Sequence, residues 1–362
     1  MLRKSHIKII AVLVLVIALV GFIGLQRTTP TSTLKIGLVL PLTGPAATWG
    51  NDYLQGATIA IEDLNAAGII DRPIELVIED TMSEPKNAVT SFQKLINVDK
   101  VKFVATTLSS HGLAMKPLAE ENHIILFGDV AHPAMTQNTK FTFRHSNIVD
   151  DEAKKLADQV IKLQAKKVGI LYSNDEYGYV ANQEILQHLA TAKIATQSEA
   201  FDLKDTDFKT EITKMIDADA LIVVGLGSGF NIILQQIKEL GFEGTVLTGI
   251  AFVVFKSSEL GSVVDGVYHT DFPYVSMRNW QEFSARYKKK YNLDPKPYHA
   301  ISYGTMELLV TTIAKAESDD PTKIAKTLRA MKEFRGTYET IVLNEKGDAL
   351  IPLILIQHKV EK

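Results

Sequence analysis

The sequence predicts an α/β protein of two similar lobes, each built on a parallel sheet covered by helices. Three observations predict it. The chain has 362 residues, which at roughly 100–200 residues per domain is material for two domains. Short β-branched runs alternate with helix-spaced apolar stripes along most of that length. The alternation breaks after Arg144 and restarts, and no shorter repeat of about 20–50 residues underlies it.

The elements follow in order. Lys35–Leu40 (KIGLVL) is a short β-branched strand closed by a Pro-Leu-Thr-Gly-Pro turn. Trp49–Ala67 has helix spacing, with Tyr53, Ala57, Ala60, Ile61 and Leu64 on one stripe and Gly68 as its stop. Ile74–Glu79 is the second strand. Asp80–Pro85 turns into a helix that begins near Pro85 and carries Ala88, Val89, Phe92, Leu95 and Ile96 inward. Val101–Thr106, Leu113–Glu121 and Ile124–Phe127 read as strand, helix and strand. Alternation with short loops implies a parallel sheet buried on both faces.

The second half repeats the scheme. A helix over Asp150–Gln164 leads to a strand, Lys167–Tyr172, and then to a helix over Tyr179–Ala192. Ala195–Ala200, Ala220–Val224 and Thr245–Thr248 are further strands, separated by helices over Phe208–Ile216 and Asn231–Leu240. After Asp271 the character changes to helices at Asn279–Tyr291, Tyr298–Ala316 and Pro321–Lys332. Thr337–His358 reads as a β-hairpin around Asn344-Glu345-Lys346-Gly347.

The N-terminal segment predicts export. Arg3, Lys4 and Lys8 precede an uncharged apolar run of 17 residues, Ile9–Leu25. That run sits at the short limit of a spanning helix, about 17–25 residues. It lies just beyond the usual h-region of about 7–15 residues. The cleavage pattern is poor, since Phe22 is bulky two places before Gly24. Residues 1–33 are therefore a signal peptide or a membrane anchor with its tether. The basic flank keeps to the cytoplasm and sends the lobes to the periplasm or another extracytoplasmic space.

Composition excludes several classes. A charge of −3, from 39 basic and 42 acidic residues, gives no global pull on nucleic acid. With no cysteine, disulfides, thiolate metal sites, thiol nucleophiles and cysteine-linked lipids are all absent. The loop Gly225-Leu226-Gly227-Ser228-Gly229 follows a strand as a dinucleotide loop would, but Phe230 occupies the last glycine position and no acid ends the next strand. Ser109-Ser110-His111 reads as a helix start, because a triad base meets its serine across the fold and no G-x-S-x-G elbow occurs. Free N–H groups at such a start suit a carboxylate. The nine histidines form no H-E-x-x-H, and Asp202, Asp205 and Asp207 lack the rest of a calcium loop. The sequence thus predicts no enzyme, no metal and no cofactor.

From Leu34 to about Gln357 the chain resembles the substrate-binding proteins of branched-chain amino-acid-type (Leu/Ile/Val-binding) ABC importers. The matching stretches are KIGLVLPLTGPAATWG (35–50), Asp63–Ile69, IEDTMSEPKNAV (78–89), NDEYGYV (174–180) and FRGTYETIVLNEKGD (334–348). The resemblance implies the type I periplasmic binding fold: two Rossmann-like lobes joined by three hinge crossings, with a small ligand clamped between them. The crossings would fall near 145–150, 271–276 and 333–338. One lobe would then hold 34–147 with 276–333, and the other 148–275 with 334–362. It also implies a monomer, an ABC permease as partner and no nucleic acid.

By the same resemblance, Ser109, with Ser110 beside it, presents hydroxyl and N–H groups to a ligand carboxylate. Trp49 packs on the ligand and Tyr177 faces it from the second lobe. Three positions depart from the family. Gly249-Ile250-Ala251-Phe252 lacks the glutamate that holds an ammonium, no aromatic stands at Leu226–Gly227, and Gly128-Asp129-Val130-Ala131 replaces a Gly-Ala-Thr-like turn. The candidate ligand contacts are then Trp49, Ser109, Ser110, Asp129, Val130, Tyr177, Gly227, Ile250 and Asp271. An unpaired ammonium in a dry cleft is costly. Either Asp129 or Asp271 supplies its counter-charge, or the ligand is a small carboxylate, aromatic acid or amide without an α-amino group, and the sequence favours the latter. Transport reception, ligand sensing through a signalling partner and, below both, an extracytoplasmic α/β hydrolase are the competing functions.

Overall fold

The computed structural model describes residues 33–273 and 278–360. The expected signal or anchor at 9–25 lies outside the described residues, as do 274–276 of the second expected crossing.

Two six-stranded sheets organise the chain. The first contains β1 (Leu34–Leu40), β2 (Ile74–Asp80), β3 (Phe103–Thr107), β4 (Ile125–Asp129), β5 (Thr142–Ser146) and β13 (Asp348–Leu350). Its order is β13-β5-β4-β3-β1-β2, parallel throughout. The second contains β6 (Lys167–Ser173), β7 (Ala195–Phe201), β8 (Ala220–Val224), β9 (Thr245–Thr248), β10 (Tyr268–Asp271) and β14 (Ile354–Gln357). Its order is β14-β10-β9-β8-β6-β7, and only β14 runs antiparallel. The order reverses beside β1 in one sheet and beside β6 in the other. At such switch points the loops leave in opposite directions and open a crevice at the strands' carboxyl ends.

The helices that border this crevice follow from local sequence. α1 (Ala47–Ala67) buries Tyr53, Ala57, Ala60 and Leu64, and ends at Gly68 with φ 62°. It packs on α10 (Pro297–Ala316). At Gly56 a Cβ would stand 2.0 Å from the His299 carbonyl oxygen, so only glycine permits that approach. α2 (Pro85–Asn97) has Pro85 in its first turn, where its missing N–H costs nothing. α3 (Ser109–Glu121) follows β3, α4 (Val149–Lys162) follows β5, and α5 (Glu176–Thr191) follows β6. Asp175 caps α5 by accepting from the Gly178 N–H at 2.7 Å. α6 (Lys209–Lys214), α7 (Phe230–Glu239) and the short α8 (Ala251–Phe255) cover the second sheet, while α9 (Trp280–Tyr291) and α11 (Pro321–Ala330) belong to the first lobe.

The lobes meet with the cleft shut. Trp49, Leu108, Ala131 and Tyr298 of the first lobe join the same buried cluster as Tyr177, Leu226, Ile250 and Phe272 of the second.

The structure corrects the expected third crossing and the hairpin. β11 (Glu333–Arg335) and β12 (Thr340–Val342) pair with each other, and Tyr338, Ile341, Leu343 and Ala349 sink into the first lobe's core. β13 then adds to β5, with Asp348 opposite Arg144. Residues 334–350 therefore stay with the first lobe. The cause is electrostatic as well as apolar: fully buried Arg144 needs a carboxylate. Asp348 Oδ1 lies 3.6 Å from its Nε and also accepts from Thr136 Oγ1 at 2.5 Å. The hairpin shrinks to one bridge, Leu343 with Ala349. The chain changes lobes between Ile351, whose N–H donates to the Ser146 carbonyl, and Leu353, whose N–H donates to Asp151 on α4.

Candidate functional site

A cavity lies between the two sets of carboxyl ends. The first lobe lines it with Trp49, Leu108, Ser109, Asp129, Ala131, Ser146, Asn147 and Tyr298, and the second with Tyr177, Leu226 and Ile250. Each residue reaches it for a local reason. Trp49, Tyr177 and Tyr298 all stand in the first turn of a helix, so α1, α5 and α10 each aim one aromatic into the crevice. The Trp49 and Tyr298 rings meet edge to face, with centroids 4.4 Å apart. Leu108 takes φ 67°, which a branched side chain adopts only under strain, and starts α3 sharply behind β3. Ser109 follows it, and no side chain caps the α3 N–H groups.

The polar atoms divide by lobe. On the first lobe Asp129 is buried, and neither carboxylate oxygen has a hydrogen-bond partner. Burial pushes its pKa up to about 6; Ser146 and Trp49 stand near enough to favour the ionised form, though neither completes a hydrogen bond. Trp49 Nε1 and Asn147 Nδ2 are also buried without partners. On the second lobe the Tyr177 hydroxyl donates to Glu152 Oε2 at 2.5 Å. The Ile250 N–H and the Thr270 hydroxyl donate to Glu152 Oε1 at 2.6 and 2.9 Å. Burial raises the Glu152 pKa, and those three donors oppose the rise.

Of the sequence-predicted contacts, the structure brings Trp49, Ser109, Asp129, Tyr177 and Ile250 to the cavity. Four lie elsewhere. Ser110 lines an outer groove at the cleft mouth with Glu84, Asp175 and Lys204, because one residue of helix turns it away from Ser109. Val130 is swallowed by the first lobe's core, against Met135 and the backbone faces of Gly112 and Gly128. Gly227 takes φ 114° and packs its backbone on Leu203, leaving Leu226 to face the cavity. Asp271 turns its Oδ1 to the Phe272 N–H at 2.7 Å, and burial pushes its pKa up to about 7.

Sequence reasoning missed Glu152, Asn147 and Tyr298. Glu152 stands in a first turn beside Asp150 and Asp151, with nothing local to single it out. Tyr298 had a signal: like Trp49 and Tyr177 it is an aromatic at a helix start. His111 does not serve Ser109 as a base. Both its ring nitrogens are buried without partners, and burial drives its pKa down to about 4.

The family model described as periplasmic binding protein matches residues 33–356. The chain belongs to the periplasmic binding protein family. It is 28% identical over 335 residues to Leu/Ile/Val-binding protein homolog 1 of Brucella suis, covering 88% of each chain. It is also 28% identical to the leucine-, isoleucine-, valine-, threonine- and alanine-binding protein of Pseudomonas aeruginosa, over 91% of this chain and 90% of that one. The solved leucine-binding protein of Thermotoga maritima superposes with a TM-score of 0.83 at 27% identity, covering 90% of this chain and 95% of that one. Family membership makes this a small-solute-binding protein that works outside the cytoplasm. Among the described residues no helix is long and apolar enough to cross a membrane.

Proposed function

We propose that this periplasmic binding protein is a transport receptor: it clamps a small carboxylate, amino acid or related amide between its lobes and delivers it to an ABC importer of the inner membrane. The observation that carries the reading is the convergence of buried, unpartnered polar atoms, Asp129, Trp49 Nε1 and Asn147 Nδ2, on a cavity walled by both lobes. Such atoms are costly unless a ligand partners them. The names of the Brucella, Pseudomonas and Thermotoga relatives support the amino-acid class. Contacts that span the lobes favour a hinge motion stabilised by ligand. Lys296 Nζ donates to the Val254 carbonyl at 2.8 Å, and Trp49 packs near Phe255. Residues 9–25 hold the receptor at the membrane or are removed on export. It works as a monomer, with the permease as its protein partner.

The test uses a fixed panel of solutes: leucine, alanine, 4-methylpentanamide and 4-methyl-2-oxopentanoate. At least one should raise the melting temperature of the purified protein and reduce its radius of gyration, since ligand at 100 times Kd adds about 2.7 kcal/mol. Cells lacking the protein should lose uptake of that solute and regain it with the gene. A panel without any binder, or uptake independent of the protein, overturns the reading.

A further inference from the structure

Resting on that receptor reading, we propose that Asp129 sets the ligand class: the first-lobe end of the cavity takes a hydrogen-bond-donating nitrogen, an ammonium or a primary amide, and turns away a solute that offers only a carboxylate.

Three buried acids border the cleft, and they differ in what they have left to offer. Glu152 accepts from Tyr177, Ile250 and Thr270 and lies behind the cavity wall. Asp271 is turned onto the Phe272 N–H and does not line the cavity. Asp129 alone of the three lines it with neither oxygen in a completed hydrogen bond, although Ser146 and Trp49 stand beside it as donors. No lysine or arginine forms a salt bridge with Asp129 among the described residues, and the ring of nearby His145 is taken up by Thr305 and Glu339. The hydroxyls of Tyr53 and Tyr298 also feel its charge, and burial keeps both neutral.

Position sharpens the point. Asp129 ends β4 directly opposite Thr107, which ends β3 one residue before Leu108 and two before Ser109. The acid therefore stands beside the serine and the uncapped helix start that would otherwise make a carboxylate seat. A ligand carboxylate there would face a second anion in a dry site, a like-charge pair that disfavours both ionised forms. A ligand N–H instead partners the free oxygens of Asp129. Asn147 Nδ2 is a donor that asks for an acceptor, and Trp49 Nε1, beside Asp129 without completing a bond to it, is a second. The complementary ligand carries a donating nitrogen and an accepting oxygen close together, as an α-amino acid or a primary amide does. A keto acid carries only acceptors.

The same panel tests this by calorimetry on the purified protein, with Asp129→Asn and Asp129→Ser as two independent variants. Leucine and alanine report the ammonium, 4-methylpentanamide the neutral amide, and 4-methyl-2-oxopentanoate the bare carboxylate. The wild type should bind the best nitrogen-bearing member at least about 10-fold more tightly than the keto acid, and each folded variant should shrink that ratio by about 10-fold or more. Asp129→Asn should weaken leucine more than the amide if the ligand is an ammonium, and both alike if it is an amide. A keto acid bound as tightly as its partners, or a ratio unchanged in both variants, overturns the inference and leaves the receptor reading standing. Failure of every member to bind overturns the receptor reading and the inference with it.

Discussion

Asp129 and Glu152 are both buried carboxylates at the cleft, one on each lobe, and their surroundings are opposite. Glu152 has three donors and joins α4, α5, β10 and the backbone after β9 into one wall. Asp129 has none. The second lobe's wall is thus complete before any ligand arrives, whereas the first lobe's wall carries unmet hydrogen bonds. A saturated carboxylate stabilises the fold, and a bare one costs stability that ligand binding can recover.

That contrast can be broken by mutation. The largest effect is expected at Glu152→Ala, which strands the Tyr177 hydroxyl, the Ile250 N–H and the Thr270 hydroxyl. At about 1–3 kcal/mol for each unsatisfied buried group, partly relieved by water, a loss of about 3 kcal/mol or more is expected. Calorimetric melting of the ligand-free protein measures it, and a change below about 1 kcal/mol would mean that Glu152 does not hold the wall. Next is Ser109→Ala, which removes one hydroxyl from the cavity. Ligand affinity should fall about 10-fold while the melting temperature holds. An unchanged Kd by calorimetry removes Ser109 from the site.

Asp129→Asn should move stability the other way, raising that of the ligand-free protein by about 1 kcal/mol, because a buried unpaired charge is removed. Its pH signature has a definite sign. The folded pKa of about 6 exceeds the ordinary 3.8, so between those values the folded state holds more protons than the unfolded chain. This carboxyl therefore lowers stability as pH rises from about 4 to 6. Asp175 and Asp271 are also raised by burial, so the test is the difference between wild type and variant across that window. A difference independent of pH would show that Asp129 titrates normally. The smallest effect is expected at the cleft mouth. Lys204 on the second lobe meets Glu84 on the first at 2.7 Å, with both side chains well exposed. Such pairs contribute little, so Lys204→Ala should change Kd less than about fivefold. A larger loss by calorimetry would make the pair a true latch.

Much of the architecture was legible. The runs KIGLVL and KVGILY are buried strands because each is flanked by partners on both edges, which demands apolar residues on both faces. The helix starts near Trp49 and Ser109 were legible too, since they follow strands at a switch point, whereas the helix expected from Tyr179 begins at Glu176 and takes Tyr177 into its first turn. The tail was not. Its hairpin signal around Asn344–Gly347 is real as a turn, with Asn344 Oδ1 accepting from the Lys346 and Asp348 N–H groups. Beyond the single Leu343–Ala349 bridge, the flanking residues nonetheless pair with Glu333–Arg335, β5 and β10. Glu152 was equally hidden, since an acid in a first turn reads as a favourable dipole contact until its burial is known.

Local sequence by itself determined strands β1–β4 and β6–β9, the long helices and the two-lobed repeat, because apolar periodicity reports which faces must leave water; strands β5, β10 and β11 had no such signal. It also determined which residues stand at the strand ends where a cleft opens. Only the tertiary structure decided which buried acid is satisfied and which is not. Glu152 meets Ile250 and Thr270 across about a hundred residues of chain, and Asp348 reaches Thr136 across more than two hundred. A buried polar group is defined by the partners that folding brings to it, and no run of neighbours in the chain encodes them.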